Sequence, residues 1–462
     1  MLYLSTINKD LLEYYFLQNI IIKYDKKKRD FMKYFGTDGI RGIPNKTLTN
    51  ELVYKIGKSL STLGNKRVYV AFDTRISKDM LFCSLASGCM SMGLDVYNLG
   101  VLSTPGLIYY SKQKNAVGVM ITASHNPYID NGIKIILNGR KLDEFEEMKI
   151  EKHIEKPIDF STSIGRLFYD KQAQNEYINF ILGKAQKSDF RIGIDCANGA
   201  TYELSQMIFP RLVKEVKFIG CEPDGFNINE QVGSTNIYRL KELVLTNKLD
   251  FGFAFDGDGD RVIAVDSKGN VIDGDKIIYI LASYLKKHDK LKNNKVILTI
   301  MSDLGVIKAL NKIGICVNEV SVGDKYVYQS LIENDLSLGG ENSGHIILFD
   351  HLNTGDGVLI ATFLIDIFRK ERMTFEDYLK DVNSYFTRNV NLPIKNKRDV
   401  IGNEIIKNKI FEIKNKLNQD CKVVVRPSGT EDLVRITLMA KDEQKVIYYT
   451  NELVELIKEI GQ

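Results

Sequence analysis

Val117-Gly118-Val119-Met120-Ile121-Thr122-Ala123-Ser124-His125-Asn126-Pro127 is an apolar run that stops at a serine set among small and turn-forming residues. It reads as a β-strand whose exposed carboxyl end presents Ser124, because Ser, Asn and Pro are the residues turns favour. Taken alone, it fits a plain Ser-Asn-Pro turn equally well. Two further stretches built the same way raise its weight. Residues 251–255 run into Asp256-Gly257-Asp258-Gly259-Asp260-Arg261, and residues 336–338 lead to Gly340-Glu341-Asn342-Ser343-Gly344-His345. Each loop is followed by another apolar run, at 133–137, 262–265 and 346–349.

Working outward, each of these units opens with a strand that runs into an aspartate, at 68–73, 191–195 and 296–303. A helix and a second strand follow, at 94–99, 215–219 and 315–320. Strand, helix, strand implies parallel pairing, so the chain carries one α/β unit three times over. Open α/β sheets bind ligands beyond the carboxyl ends of their strands. The three polar loops are therefore expected to converge on one cleft.

After about residue 375 the pattern changes to strands at 389–392, 422–425 and 433–439 with a closing helix, a smaller α+β unit. The expected architecture is α/β: three similar α/β domains with mixed sheets plus a smaller C-terminal α+β domain around a central cleft. The divisions fall at 32–165 (serine loop), 166–267 (aspartate loop), 268–378 (Glu341 loop) and 379–462. Met32 reads as a natural start of the folded part, which leaves residues 1–31 as an extension without an assigned role.

With 44% hydrophobic and 26% charged residues over 462 positions, the composition is that of an ordinary soluble multidomain protein. A formal net charge of +4 is too slight to argue for a nucleic-acid partner. The six cysteines are scattered, with no C-x-x-C pair and no zinc-ligand spacing, which fits a reduced cytoplasmic setting. The apolar patch at 14–22 follows Lys9, Asp10 and Glu13 rather than a basic leader, and it is too short to span a bilayer.

Asp256, Asp258 and Asp260 alternate with glycines, and in an extended segment all three carboxylates face one way. Three like charges on one edge repel unless a cation joins them, so the loop reads as a hard-cation site rather than a bare Asp-Gly turn. A calcium EF-hand would need glycine where Arg261 stands and glutamate where Ser267 stands. Magnesium, which keeps positions for phosphate oxygens, suits the loop better. Arg426-Pro427-Ser428-Gly429-Thr430 brings a guanidinium, two hydroxyls and glycine-loosened N–H groups together, the equipment of a phosphate cradle, though it also fits a hairpin connection. Glu341, Ser343 and His345 alternate and could receive sugar hydroxyls or form a polar turn. Arg41, in Phe35-Gly36-Thr37-Asp38-Gly39-Ile40-Arg41-Gly42, could contact an anion. Gly57-Lys58-Ser59 lacks the earlier glycine of a nucleotide P-loop, so ATP is not indicated.

Taken together, in this order, the four loops resemble those of the α-D-phosphohexomutase superfamily. The stretches Asp195-Cys196-Ala197-Asn198-Gly199-Ala200 and Val322-Gly323-Asp324-Lys325-Tyr326 look most like its phosphoglucosamine mutase branch. The resemblance implies an isomerase in which Ser124 carries a phosphoryl group, with Asp256, Asp258, Asp260 and Ser124 around one Mg2+. It implies Arg41, His125, Lys134 and Arg261 as the catalytic cations and acid/base groups, with Lys134 crowded by cations and of lowered pKa. It assigns Glu341, Ser343, His345, Asp324 and Lys325 to the sugar, and Arg426, Ser428, Gly429 and Thr430 to the phosphate that is not reacting. The implied reaction interconverts glucosamine 6- and 1-phosphates, on the route to UDP-N-acetylglucosamine and cell wall, with a sugar bisphosphate as activator. Phosphomannomutase/phosphoglucomutase activity is the alternative, and a metal-dependent sugar phosphatase a more distant one. The partners implied are small sugar phosphates, with no nucleic acid and no membrane; a homodimer is compatible with this reading.

Overall fold

The computed structural model describes residues 32–36, 38–156, 161–394, 397–400, 402–428 and 432–461. The extension at 1–31 and the loop positions Gly429 and Thr430 lie outside them.

The repeat read from the sequence is present as topology. In the first domain Arg67–Phe72 is flanked on one side by Asp95–Val101 and on the other by Val117–Ile121, both parallel to it, and Asn131–Leu137 pairs antiparallel with Val117–Ile121. In the second, Arg191–Asp195 lies between Glu215–Ile219 and Phe251–Phe255, again parallel, and Val262–Asp266 runs antiparallel. The third repeats this with Lys295–Thr299, Cys316–Val320, Leu338–Gly340 and Ile346–Leu348. Three sheets thus share one order, and each polar loop joins the third strand to the fourth at the third strand's carboxyl end.

Local chemistry accounts for the starts and stops. Thr49 accepts from Leu52 N to cap helix Asn50–Ser59, and Gly64 turns the chain out at φ 82°. The third strand of the third domain sits two residues later than its apolar run suggests. It does so because Gly339 and Gly340 pack so closely on Ile297 and on the His345 carbonyl that a Cβ would clash. Leu167–Tyr169 adds a parallel strand to the first sheet, beside Asp95–Val101.

One continuous apolar core runs through the first three domains, from Tyr69 and Leu107 through Phe251 and Phe253 to Phe368 and Phe375. The last domain has its own core, between the antiparallel sheet Phe386–Pro393, Leu433–Ala440, Cys421–Pro427 and the helices Glu404–Lys416 and Glu443–Gly461. Polar contacts tie it to the third domain: Lys422 Nζ donates to the Ser302 carbonyl at 3.1 Å, and Lys308 pairs with Asp420. Among the described residues no helix is long and apolar enough to cross a membrane, and all six cysteines are free thiols.

Candidate active site

Ser124 is 1% exposed, not presented to solvent as the sequence suggests, because the second domain's aspartate loop closes over it. Its backbone is left-handed, φ 52°, a conformation costing a non-glycine residue roughly 1–2 kcal/mol. Its Oγ donates to Asp256 Oδ2 at 2.6 Å, across the boundary between the first and second domains. Thr122 Oγ1 accepts from Ser124 N at 2.9 Å and donates to the buried Asp73 at 2.6 Å.

Asp256, Asp258 and Asp260 converge so that one oxygen of each lies within 4.8 Å of the others, all buried. The extended geometry expected for them is corrected by a turn: Gly259 adopts φ 77° and its N–H closes on the Asp256 carbonyl at 3.1 Å. The chain wraps the carboxylates round a point instead of lining them along an edge. At 4.8 Å, two carboxylates repel by about 3.5 kcal/mol at an effective dielectric near 20. Burial, then Asp260 and Asp258, push Asp256 well above the ordinary carboxylate range. Asp258 Oδ1 and Asp260 Oδ1 are buried without a hydrogen-bond partner. Orphaned oxygens in a buried, converging, all-oxygen donor set fit a hard divalent cation.

The cations are arranged differently from the expectation. Lys134 is crowded by carboxylates, not cations: Nζ is 2.8 Å from both Asp38 and Asp258 and 3.5 Å from Asp260. Burial works against its charge, but Asp258, Asp38 and Asp260 outweigh it and hold Lys134 well above its usual value. The expected lowered pKa is therefore reversed. His125 Nδ1 lies 3.4 Å from Ser124 Oγ; burial, then Arg261 and Arg41, lower His125 to about 4, so the ring is neutral. Arg261 Nε is buried without a hydrogen bond, 3.8 Å from Asp260. Arg41 pairs with Asp38 at 2.7 Å and leans on the Ala123 carbonyl at 3.4 Å.

The remaining expected groups divide. Glu341 is buried beside the cleft, accepting from Gly323 N at 2.9 Å and from Ser343 Oγ at 3.5 Å. His345, expected at the sugar, is turned inward between Asp260 (3.7 Å) and Asp324 (4.0 Å), because a β-bridge pairs it with Arg261. Asp324 and Lys325 meet the first domain: Lys141 pairs with Asp324 and Asp38, and Lys325 pairs with Glu144 at 2.6 Å. Arg426 faces Arg435 directly across the C-terminal sheet, and Glu341 is near enough to act on its charge. Ser428 is buried at the end of that strand.

Family models for the phosphoglucomutase/phosphomannomutase α/β/α domains I, II and III match residues 32–159, 169–269 and 273–385, and the model for the C-terminal domain matches 390–456. The chain is 41% identical to the phosphoglucosamine mutases of Bacillus cytotoxicus and Bacillus cereus strain AH187, over 93% of this chain and 99% of each relative.

The chain belongs to the phosphoglucomutase/phosphomannomutase family.

Solved structures agree on the fold. A phosphoglucomutase/phosphomannomutase family protein from Burkholderia thailandensis superimposes with TM-score 0.77 at 22% identity, covering 92% of this chain and 96% of that one. The N-acetylphosphoglucosamine mutase of Aspergillus fumigatus, solved with GlcNAc-6P and magnesium, gives TM-score 0.67 at 16% identity over 94% and 97%. The chain is thus a phosphohexomutase-type isomerase, in which the Ser124 and aspartate loops meet directly and Glu341 lies near enough to act on Arg261.

The sequence reading missed Asp73, Arg75, Asn229, Asp38 and Lys141, which surround the Ser124 loop and the aspartate loop. The one signal for the first pair was the Asp73-Thr74-Arg75 turn at the carboxyl end of the first strand, on the same sheet edge as the polar loop after the third. Asp38 lies in the same Phe35 to Gly42 stretch as Arg41, and Asn229 and Lys141 had no signal.

Proposed function

We propose that this chain interconverts glucosamine 6-phosphate and glucosamine 1-phosphate, with Ser124 as phosphoryl carrier and a glucosamine 1,6-bisphosphate as intermediate. The observation that carries this reading is the 2.6 Å approach of Ser124 Oγ to Asp256, at a buried triad of carboxylates. Relatives at 41% identity with that named activity support the amino sugar.

A hydroxyl oxygen of the bound sugar monophosphate attacks the phosphoserine phosphorus. The phosphorus–Oγ bond breaks as the new bond forms, and the hydroxyl proton passes to a base. After the bisphosphate turns round, its other phosphate returns to Ser124 Oγ and the proton goes back. His125, neutral and beside Oγ, fits the acceptor, while Lys134 stays charged and balances Asp258 and Asp38. A phosphoserine adds roughly −1.5 to −2 of charge, and Arg261 and Arg41 stand ready for it, since phosphoryl transfer rests on positioning and electrostatics. Magnesium held by Asp256, Asp258 and Asp260 supplies further neutralisation of the transferring group. Glu341 and Ser343 hold sugar hydroxyls in both orientations, and Arg426, Ser428, Gly429 and Thr430 hold the distal phosphate. A sugar bisphosphate primes the enzyme, and a cytoplasmic homodimer is the expected working form.

The test is incubation with glucose 1,6-bisphosphate followed by intact-mass and peptide mapping, with glucosamine, glucose and mannose phosphates assayed side by side. One phosphate on Ser124 and preference for the amino sugar are expected. Full mutase activity in Ser124→Ala would overturn the carrier, equal or better turnover of mannose phosphates the substrate, and steady release of inorganic phosphate the reaction.

A further inference from the structure

The Ser124 carbonyl receives hydrogen bonds from two domains at once. Arg75 Nη2 donates to it at 3.0 Å from the first domain and Asn229 Nδ2 at 2.9 Å from the second. The same two side chains also share the Asn126 carbonyl, at 2.8 and 3.1 Å. Arg75 Nη1 continues along the loop to the Pro127 carbonyl and to that of Asp130 at 3.0 Å.

Arg75 is 0% exposed. A charge is buried so completely only when it is paired and its protons are used. Asp73 provides the pair at 2.9 Å, and the loop carbonyls take the remaining protons. Asp73 also holds Thr122, which holds Ser124 N, so the Ser124 peptide groups are gripped on both sides. Among the described residues, neither Arg75 nor Asn229 hydrogen-bonds to the aspartate triad or to Ser124 Oγ; both act on the backbone behind the side chain.

We propose that Arg75 and Asn229 are positioning residues for phosphoryl transfer, forming a two-domain clamp that holds Ser124 in its left-handed conformation with Oγ aimed at the aspartate loop. This rests on Ser124 being the phosphoryl carrier. The fork geometry matters: a lysine at position 75 keeps a charge for Asp73 but cannot span four carbonyls. Asn229→Gly removes only the donor, because Asn229 itself is left-handed at φ 59° and glycine adopts that conformation freely.

The experiment follows the rate of Ser124 phosphorylation by glucose 1,6-bisphosphate, by quench and intact mass, in the wild type, Arg75→Lys and Asn229→Gly, with steady-state kcat and KM and with Tm. Misplacement of the carrier on the ångström scale costs on the order of 10²-fold, the fall expected in both rates for Arg75→Lys. About tenfold is expected for Asn229→Gly, the equivalent of one hydrogen bond. KM for the sugar phosphate, which the proposed function assigns to Glu341, Ser343 and Arg426 rather than to the clamp, stays within about twofold of wild type, a split that general destabilisation does not produce. Wild-type phosphorylation rates in both variants, or a KM that rises in step with a falling Tm, overturn the clamp. Should Arg75→Lys fail to fold, Asn229→Gly decides alone. If the wild type takes no phosphate on Ser124, the carrier reading falls first and the clamp with it.

Discussion

Replacing Gly257 by alanine would drive a methyl group between the Ser124 and aspartate loops, the proposed reacting centre. Gly257 does not need a left-handed φ, so the effect is steric. An ideal Cβ there stands 2.5 Å from the Ser124 carbonyl oxygen, while ordinary contact begins at 3.4 Å, so the loops must part by about 0.9 Å. Asn229 Nδ2 and Ile228 Cδ1, both at 2.9 Å, block the sideways escape. Separation on that scale stretches the 2.6 Å Ser124 Oγ–Asp256 hydrogen bond by about 0.9 Å and is expected to lower kcat by roughly 10²-fold, about 2.7 kcal/mol of transition-state stabilisation. The accompanying loss of stability is that of a modest overpacking, about 1–3 kcal/mol, or a few degrees in Tm. Coupled assay of kcat and KM beside a thermal melt checks this. An alanine variant that melts normally and turns over at more than about half the wild-type rate would refute the reasoning, because the two loops could then separate without cost.

Magnesium should raise the Tm of the metal-free protein, by about 2.7 kcal/mol of stabilisation at a hundredfold excess over Kd, and Asp258→Asn should blunt the rise; a Tm indifferent to the ion would count against the aspartate site. Lys308, then Tyr385, hold Asp420 at about 2, below its ordinary 3.8. The folded-state pKa is depressed, so this contribution is fully present above about pH 4 and lost as pH falls through 2. At so exposed a pair it amounts to no more than about 1 kcal/mol. Acid titration of Tm should show Asp420→Asn running parallel to wild type above pH 4 and converging with it below; a gap that widens on acidification would be the wrong sign.

The repeat was legible because it is written in contiguous residues. An apolar run such as Phe251–Phe255, followed at once by glycines and aspartates, states both the strand and its end. The smaller last domain was legible for the same reason. The shift of the third domain's strand to Leu338–Gly340 was not, because glycine is a poor strand former by itself and enters this strand where Ile297 and the His345 carbonyl leave no room for a side chain. Ser124, the three aspartates and Arg261 stand in short contiguous motifs, and the structure brings them together. His345 was expected at the sugar, but its alternation with Glu341 says nothing of the bridge to Arg261 that turns it inward.

By itself, then, the sequence determined three like units, the loops that end their third strands, and the residue types able to carry phosphate and metal. These follow from the period of side chains along a strand and from short-range turn chemistry. Only the tertiary structure decided which charges face one another. Lys134 is a protonated counterion rather than a free base because Asp38 and Asp258 arrive from elsewhere in the chain to within 2.8 Å. Arg75 and Asn229 meet at the Ser124 carbonyl from two domains. Coulombic interaction depends on distance through space and on burial, and neither can be read from separation along the chain.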